Sequence, residues 1–319
     1  MKKNKFLFCI GLLLTVATIV NAQSVTWISS TEGNVWQKSK VKLQSKSEQN
    51  PVLQVDGTEN GVAFKNWGTT FNELCWDALG LLTRTEQDEI LYNIFSPQGD
   101  LRITRGRISM GANDYARSWY SCDEVEGDFE LRYFNINRDK QTIIPFIRAA
   151  QKYNPNLTFW ISPWCPPSWM KINGDYPVLS SPFNSLSEKQ NYLLYGATGG
   201  QVDENEMKLT GARDGVFPRQ LATTDFMIQD PRYLQTYADY FCRFIDAYKE
   251  QGIPIDMVMY QNEAYSYTPY PGCAWTATGT IRFNKEYLAP TLRQMHPEVK
   301  LYLRSEERRV GKECLRLCR

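Results

Sequence analysis

The chain has 319 residues, 42% of them hydrophobic and 22% charged, which suits one large globular domain or two ordinary ones and excludes a disordered polymer. Lys and Arg number 36 against 35 Asp and Glu, for a formal net charge of +1. That near balance hides a mildly acidic body of net −5 between residues 23 and 303, flanked by basic ends, so the body carries no electrostatic footprint for nucleic acid.

The first element is a leader. Lys2, Lys3 and Lys5 precede the apolar run FLFCIGLLLTVATIV, and Val20-Asn21-Ala22 ends in a small residue. This pattern predicts a secretory signal peptide over 1–22, cleaved after Ala22, and hence a secreted, periplasmic or cell-surface location. No other apolar run is long enough to cross a bilayer, so no integral membrane segment is expected after cleavage. Five cysteines lie between leader and tail (Cys75, Cys122, Cys165, Cys242 and Cys273), none at CxxC spacing. An odd number allows one or two disulfides; buried free thiols are slightly favoured.

Residues 24–56 alternate polar with β-branched or aromatic residues in SVTWISSTEG, KVKLQS and PVLQVDG, which predicts short antiparallel strands. The rhythm then changes. A first core strand leads into WGTTFNELCWDALG. TRTEQDEILYNIFS (83–96) has helical spacing, with Thr83 and Glu86 as a capping box. A strand is expected over 101–110, a helix over 139–155 despite Pro145, and a strand over 156–164. Residues 173–224 form a long polar loop. A strong helix spans 230–252, capped by Asp230, opened by Pro231 and ended by Gly252. IPIDMVMYQ is a strand, 281–295 a helix, and VKLYL (299–303) another strand.

Strands alternating with helices predict a parallel sheet. Loops after the strands are long and chemically rich, whereas those after the helices are short, as in a (β/α)8 barrel whose active site is built at the strand C-termini. A doubly wound sheet is the alternative, but no glycine-rich phosphate turn follows the first strand. The expected organisation is a leader over 1–22, N-terminal β-strands over 23–61, a partial barrel of about five strands over 62–303, and a tail over 304–319. That tail, RSEERRVGKECLRLCR, loses all apolar periodicity and reads as foreign to the fold, as from a frameshift or read-through.

Each strand end presents polar and aromatic groups. Glu73 follows the first strand; Arg107 lies on the second, followed by Asn113, Asp114, Trp119 and Tyr120. Trp164 and Trp169 follow the third. The fourth ends in Gln261-Asn262-Glu263, with Tyr265, Tyr267, Tyr270 and Trp275 beyond. Carboxylates and an arginine among aromatics suit a sugar, whose apolar faces stack and whose hydroxyls want polar partners. Glu263 is the candidate catalytic acid, with desolvation by its aromatic neighbours expected to favour its protonated form. Arg107 alone could instead pair with Asp114 or Glu73. The single histidine, His296, makes a Ser-His-Asp triad or a His-based zinc centre untenable as a first reading and is taken as structural. No cofactor and no metal are expected.

Four motifs in order, GTTFNE, RGRISMGANDY, ISPWCPPSWMKING and YQNEA, resemble glycoside hydrolase family 30, the group of glucosylceramidases, β-1,6-glucanases and related β-glycosidases. The resemblance runs from about residue 62 to 303. It implies a (β/α)8 barrel with a side β-sandwich, of which the N-terminal strands over 23–61 would be part, and retaining hydrolysis of a β-linked oligosaccharide, polysaccharide or glycolipid. Carried over by residue, Glu263 resembles the general acid/base and Asn262 the contact to the sugar 2-hydroxyl. Glu73, Arg107 and Trp164 match positions lining the glycone subsite. Asp114, Trp119 and Tyr265, read from the loops at the strand ends and not from the resemblance, are further expected substrate contacts. Many members have Asp where this chain has Glu73, and Pro where it has Ala264. The family takes its nucleophile from the end of the seventh strand and this chain reads only to about the fifth, so the nucleophile is expected to be absent from this chain, which by itself would be an inactive, truncated fragment; Glu306 and Glu307 in the tail are not promoted. The contrasting reading is a non-catalytic carbohydrate-binding relic that keeps the aromatic cleft.

Overall fold

The structure, a computed structural model, describes residues 24–42, 67–186, 225–264 and 268–303. The leader, the third N-terminal strand PVLQVDG, most of the polar loop, Tyr265 with Tyr267, and the tail after Leu303 lie outside the described residues. The chain divides into two compact units, Met1–Ala63 and Phe64–Arg319.

In the first unit, β1 (Ser24–Thr31) and β2 (Asn34–Lys42) form an antiparallel hairpin. Glu32 and Gly33 make its turn, Gly33 at φ +79°, where a Cβ would be strained. The expected second strand therefore starts earlier than KVKLQS, because the tight turn brings Asn34 directly opposite Thr31.

The second unit is built on a five-stranded, all-parallel sheet of β3 (Gly68–Phe71), β4 (Arg105–Ser109), β5 (Thr158–Ser162), β6 (Ile255–Met259) and β7 (Lys300–Tyr302). The strands neighbour one another in strict chain order. A doubly wound sheet reverses its order at a switch point, so this arrangement is that of a barrel wall.

Helices α1 (Glu73–Gly80), α2 (Arg84–Phe95), α3 (Ile143–Gln151) and α4 (Pro231–Glu250) alternate with these strands. The expected capping box of α2 is present: Thr83 Oγ1 accepts from the Glu86 amide at 3.4 Å, and the Glu86 carboxylate accepts from the Thr83 amide at 2.8 Å. Asp230 caps α4 by accepting from the Arg232 amide at 2.8 Å. Helix α1 was not expected as a separate element; Asn72 opens it by accepting from the Cys75 amide at 2.9 Å.

Three expected elements change shape, two of them at prolines. The span 139–155 becomes a 3-10 turn (Asp139–Gln141) followed by α3, because Pro145 cannot bond back into a preceding turn and must lie within the first turn of its helix. The span 281–295 begins earlier, as α5 (Ala277–Arg282), passes through a π-helical stretch (Phe283–Leu288) and ends as α6 (Ala289–Met295). Pro290 offers no N–H to the Glu286 carbonyl, and the widened turns lie just before it. The strand expected over 101–110 shortens to Arg105–Ser109, since Leu101 and Ile103 instead hydrogen-bond the end of α2 through Asn93 and Ile94.

Strand side chains alternate between two faces. Phe71, Ile108, Phe159, Ile161, Ile255 and Val258 are buried against the helices, with Phe71 packed edge-on to Phe146 of α3 at 4.7 Å and stacked on Phe95 of α2 at 5.7 Å. Arg105, Arg107, Trp160 and Ser162 point to the other face, where Arg105 pairs with Asp256 across β5. Gly106 belongs to the helix-facing set. A Cβ there would lie 2.5 Å from Phe71 Cε2 and 2.8 Å from Phe159 Cδ1.

A polar knot sits within this core. Asp139 is fully buried and accepts from Tyr120 Oη at 2.7 Å and Tyr248 Oη at 2.6 Å. Burial pushes its carboxyl up to about 6, against the pull of both tyrosine hydrogen bonds. Cys122, Cys165, Cys242 and Cys273 are buried free thiols and Cys75 is an exposed one. Burial raises the Cys165 thiol to about 11, so it stays protonated. His296 closes α6, with its Nε2 3.5 Å from Asp246 Oδ1.

Two outcomes follow from this packing. Gly106→Ala is expected to destabilise the fold by about 2 kcal/mol through overpacking between the two phenylalanines, measured by urea unfolding. For Asp139, the folded state keeps a proton that the unfolded chain loses near its ordinary pKa of about 4. Its contribution to stability is therefore complete at low pH and is lost as pH rises through about 6. Asp139→Asn should flatten that decline, worth up to about 3 kcal/mol, in unfolding curves taken between about pH 4 and 7.

Candidate active site

The C-terminal ends of β4, β5 and β6 converge through one side chain. Arg107 projects from β4 on the face opposite the helices. Its Nε and Nη2 donate to Ser162 Oγ at 3.0 and 2.7 Å, and Nη2 also donates to Asn262 Oδ1 at 2.7 Å. Its guanidinium lies 4.0 Å from the ring centre of Trp164 and 4.8 Å from that of Trp160. A planar cation with two indoles close by and its edge engaged by two acceptors has little freedom left. Arg107 does not pair with Asp114 or Glu73, the partners available on sequence alone; the register that sets Ser109 beside Ser162 brings Ser162 within its reach instead.

Gln261 explains why a core strand ends in amides. Its Nε2 donates to the Trp164 carbonyl at 2.6 Å and the Asn262 carbonyl at 2.8 Å, and its Oε1 accepts from Trp275 Nε1 at 3.4 Å. The Asn262 amide donates to the Pro163 carbonyl at 2.8 Å, and the Trp275 amide to the Ala264 carbonyl at 2.8 Å. The segment 261–264 is thus laced between the loops that follow β5 and β6. Because Asn262 Oδ1 is taken by Arg107, its amide group is oriented with Nδ2 as the remaining donor.

Glu263 takes a left-handed backbone at φ +50°. For a residue with a Cβ this costs roughly 1–2 kcal/mol, a strain that recurs at functional positions. The hydrogen bonds on either side, from Asn262 and Trp275, hold it there. Tyr270 Oη donates to Glu263 Oε2 at 3.2 Å.

Glu73 is placed differently from the sugar-lining position expected of it. It is 1% exposed, at the start of α1, and forms a two-point ion pair with Arg138. Arg138 Nε donates to Oε1 at 2.8 Å and Nη2 to Oε2 at 2.6 Å, while Thr142 Oγ1 donates to Oε1 at 3.3 Å and the Arg117 amide to Oε2 at 2.8 Å. Burial alone pushes its carboxyl up, but the hydrogen bonds of Arg138 and Arg117, with the Arg138 charge, outweigh it and hold the group below the usual range.

Asp114 is exposed on the loop after β4, and Trp119 is half-buried with its ring 6.3 Å from Tyr176. Trp164 is buried beneath Arg107, and Trp169 packs edge-on against Phe129 as a core residue, its Nε1 donating to the Asp123 carbonyl at 3.1 Å. Tyr265 lies outside the described residues. Ser162 and Trp160 escaped the sequence reading, although their period-2 spacing on TFWIS placed them on one face with Arg107's neighbours. Arg138, 65 residues from Glu73, had no local signal at all. Among the described residues, no group of three or more His, Cys, Asp or Glu side chains is placed to hold a metal ion, and no helix is long and apolar enough to cross a membrane.

Comparison with known proteins accords with this geometry. Residues 64–181 match the family model described as the glycosyl hydrolase family 30 TIM-barrel domain. Putative glucosylceramidase 4 of Caenorhabditis elegans is 27% identical over 250 residues, covering 78% of this chain and 40% of that protein. The endo-1,6-beta-D-glucanase neg1 of Aspergillus fumigatus is 25% identical over 252 residues, 77% of this chain and 45% of that protein. Among solved structures, SrfJ from Salmonella typhimurium aligns with a TM-score of 0.60 at 18% identity, over 86% of this chain and 52% of that one. An endo-beta1,6-glucanase aligns with a TM-score of 0.56 at 21% identity, over 78% and 45%. At these identities the structures speak for the fold. The chain spans half or less of the length of these two curated relatives. Over residues 64–181, this chain is thus similar to the TIM-barrel domain of glycosyl hydrolase family 30.

Proposed function

We propose that the protein is an exported, retaining β-glycosidase acting on β-linked glucosides, of the glucosylceramidase or β-1,6-glucanase type. Glu263 is the general acid/base, protonating the glycosidic oxygen as the bond to the leaving group breaks. A second carboxylate attacks the anomeric carbon, and Glu263 then takes a proton from the water that releases the sugar. No described residue is assigned the role of that nucleophile. Asn262 Nδ2 donates to the sugar 2-hydroxyl, and Trp164, Asp114, Trp119 and Tyr265 line the sugar.

One observation carries this reading: Arg107 fixes the Asn262 amide at 2.7 Å, immediately beside a glutamate held in a strained backbone at a barrel strand's end. Groups set rigidly at that end of a barrel are where its chemistry is ordinarily done. Export rests on the charged and apolar pattern of residues 1–22. The choice of a glucoside rests on the names of the relatives.

In a full-length version with a closed barrel, Glu263→Gln is expected to lower hydrolysis of an unactivated β-glucoside by about 10²- to 10⁴-fold, with a smaller loss on an aryl glucoside whose leaving group needs no proton. Near-normal turnover of the unactivated substrate would remove Glu263 from the mechanism. Wild-type protein that binds the glucan and never cleaves it would favour the non-catalytic binding reading. Arg107→Lys keeps the charge and loses the fork, and should lower kcat/KM about 10- to 100-fold without unfolding the protein, as followed by circular dichroism.

A further inference from the structure

The loop after β4 is held from below by a clasp that the reaction just proposed does not use. The loop closes on itself where the Ala112 amide donates to the Tyr120 carbonyl at 2.8 Å. Gly111 makes that closure possible: it sits at φ +85°, and a Cβ there would lie 2.9 Å from the Tyr120 carbonyl oxygen. Between these ends, the backbone and side chains of the loop are tied to α1 and Arg138. The Leu74 amide donates to the Tyr115 carbonyl at 3.2 Å, and the Arg117 amide donates to Glu73 Oε2 at 2.8 Å. Arg117 Nε donates to Asp77 Oδ2 at 2.7 Å, one turn along α1. Arg138 donates to Ser118 Oγ and to the Ser118 carbonyl, both at 2.9 Å, and lies 4.0 Å from the ring centre of Tyr120.

Glu73 sits at the centre of this set. Its two oxygens receive three hydrogen bonds, from Arg138 twice and the Arg117 amide, and Oε1 lies 3.3 Å from Thr142 Oγ1, whose single proton is shared with the Arg138 carbonyl at 3.1 Å. A carboxylate has about four lone-pair directions, so these donors occupy most of them. It is also 1% exposed, which leaves no surface for a sugar hydroxyl to approach. The residues that do face outward are carried by the loop itself: Asp114 is exposed and Trp119 is half-buried, its ring near Tyr176.

We propose that Glu73 and Arg138 are positioning residues that hold loop 112–120 at the end of β4, and through it set Asp114 and Trp119 against the sugar, without either touching the sugar. The role assigned to the sugar rests on the glycosidase reading above; the clasp itself does not. The energetics favour such a part. A buried ion pair contributes little net stability, but removing one partner leaves an unpaired buried charge, so the geometry around an intact pair is sharply defined.

The test uses the full chain and two readouts, one of them independent of turnover. In Glu73→Gln one acceptor and the charge are lost, and the Arg117 amide should exchange with deuterium at least about tenfold faster than in wild type. The same variant should raise KM for a β-glucoside about tenfold while kcat changes less than about threefold, because the loop binds and the acid/base is untouched. Arg138→Lys should move both readouts in the same direction. Thr83→Ala, which removes the capping box of α2 and lowers stability by about 1 kcal/mol, should leave KM unchanged and so separates positioning from mere loss of stability. Weaker sugar affinity in Glu73→Gln with unchanged loop exchange, and an Arg138→Lys variant of normal KM, would mean that Glu73 touches the sugar directly and would overturn the proposal. So would faster exchange with an unchanged KM. Wild-type protein that neither cleaves the glucoside nor binds glucose in a calorimetric titration would overturn the glycosidase reading and the substrate role of the loop, and only the exchange result would stand.

Discussion

Arg107 is the interaction on which the candidate site depends. It is a single cation on β4 that reaches Ser162 at the end of β5 and Asn262 at the end of β6, so three strands share one rigid side chain. Two indoles, Trp160 and Trp164, lie 4.8 and 4.0 Å from its guanidinium, and the half-buried setting strengthens its hydrogen bonds relative to open water. With Arg107 fixed, the Asn262 amide has one orientation, and Glu263 follows as the next residue along a backbone that cannot relax. Gln261 completes the arrangement by tying the β5 and β6 loops together through Trp164 and Trp275.

The sheet supplies this arrangement because its two faces obey different rules. On one face, phenylalanines, isoleucines and valine are dry against the helices, tightly enough that Gly106 has no room for a methyl group. On the other face, arginines, a tryptophan and serines stand in register. Two ion pairs lie there and nearby, the partly exposed Arg105 with Asp256 and Arg138 with the buried Glu73. Breaking the second would leave the Glu73 charge buried without its partner, which is costly. The functional surface is thus organised by polar interactions resting on an apolar layer that provides most of the favourable energy.

Two unusual backbone conformations lie at the same place, although Arg102 and Leu131 are left-handed elsewhere in this unit. Glu263 is held left-handed by hydrogen bonds from its neighbours, and Gly111 is left-handed where the loop carrying Asp114 and Trp119 closes. One is a residue with a Cβ bearing a candidate catalytic group; the other is a glycine whose missing Cβ permits a close backbone approach. Both departures from ordinary backbone lie at the strand C-terminal end, where the barrel fold concentrates its chemistry.

By itself the sequence determined what depends on neighbours a few residues apart. The capping box of Thr83 and Glu86, the Asp230-Pro231 start and Gly252 end of α4, and the alternation of strands with helices were all legible, because caps and periodicity are local. The placement of Glu263 and Asn262 at a strand end was legible for the same reason. Tertiary structure alone decided the partners. Glu73 reads as a site carboxylate until Arg138, 65 residues away, packs over it. Arg107 reads as a partner for Asp114 or Glu73 until parallel register sets β4 beside β5 and delivers Ser162. Ion pairs and hydrogen bonds between distant segments are fixed by how strands align and helices dock, and no local pattern carries that information.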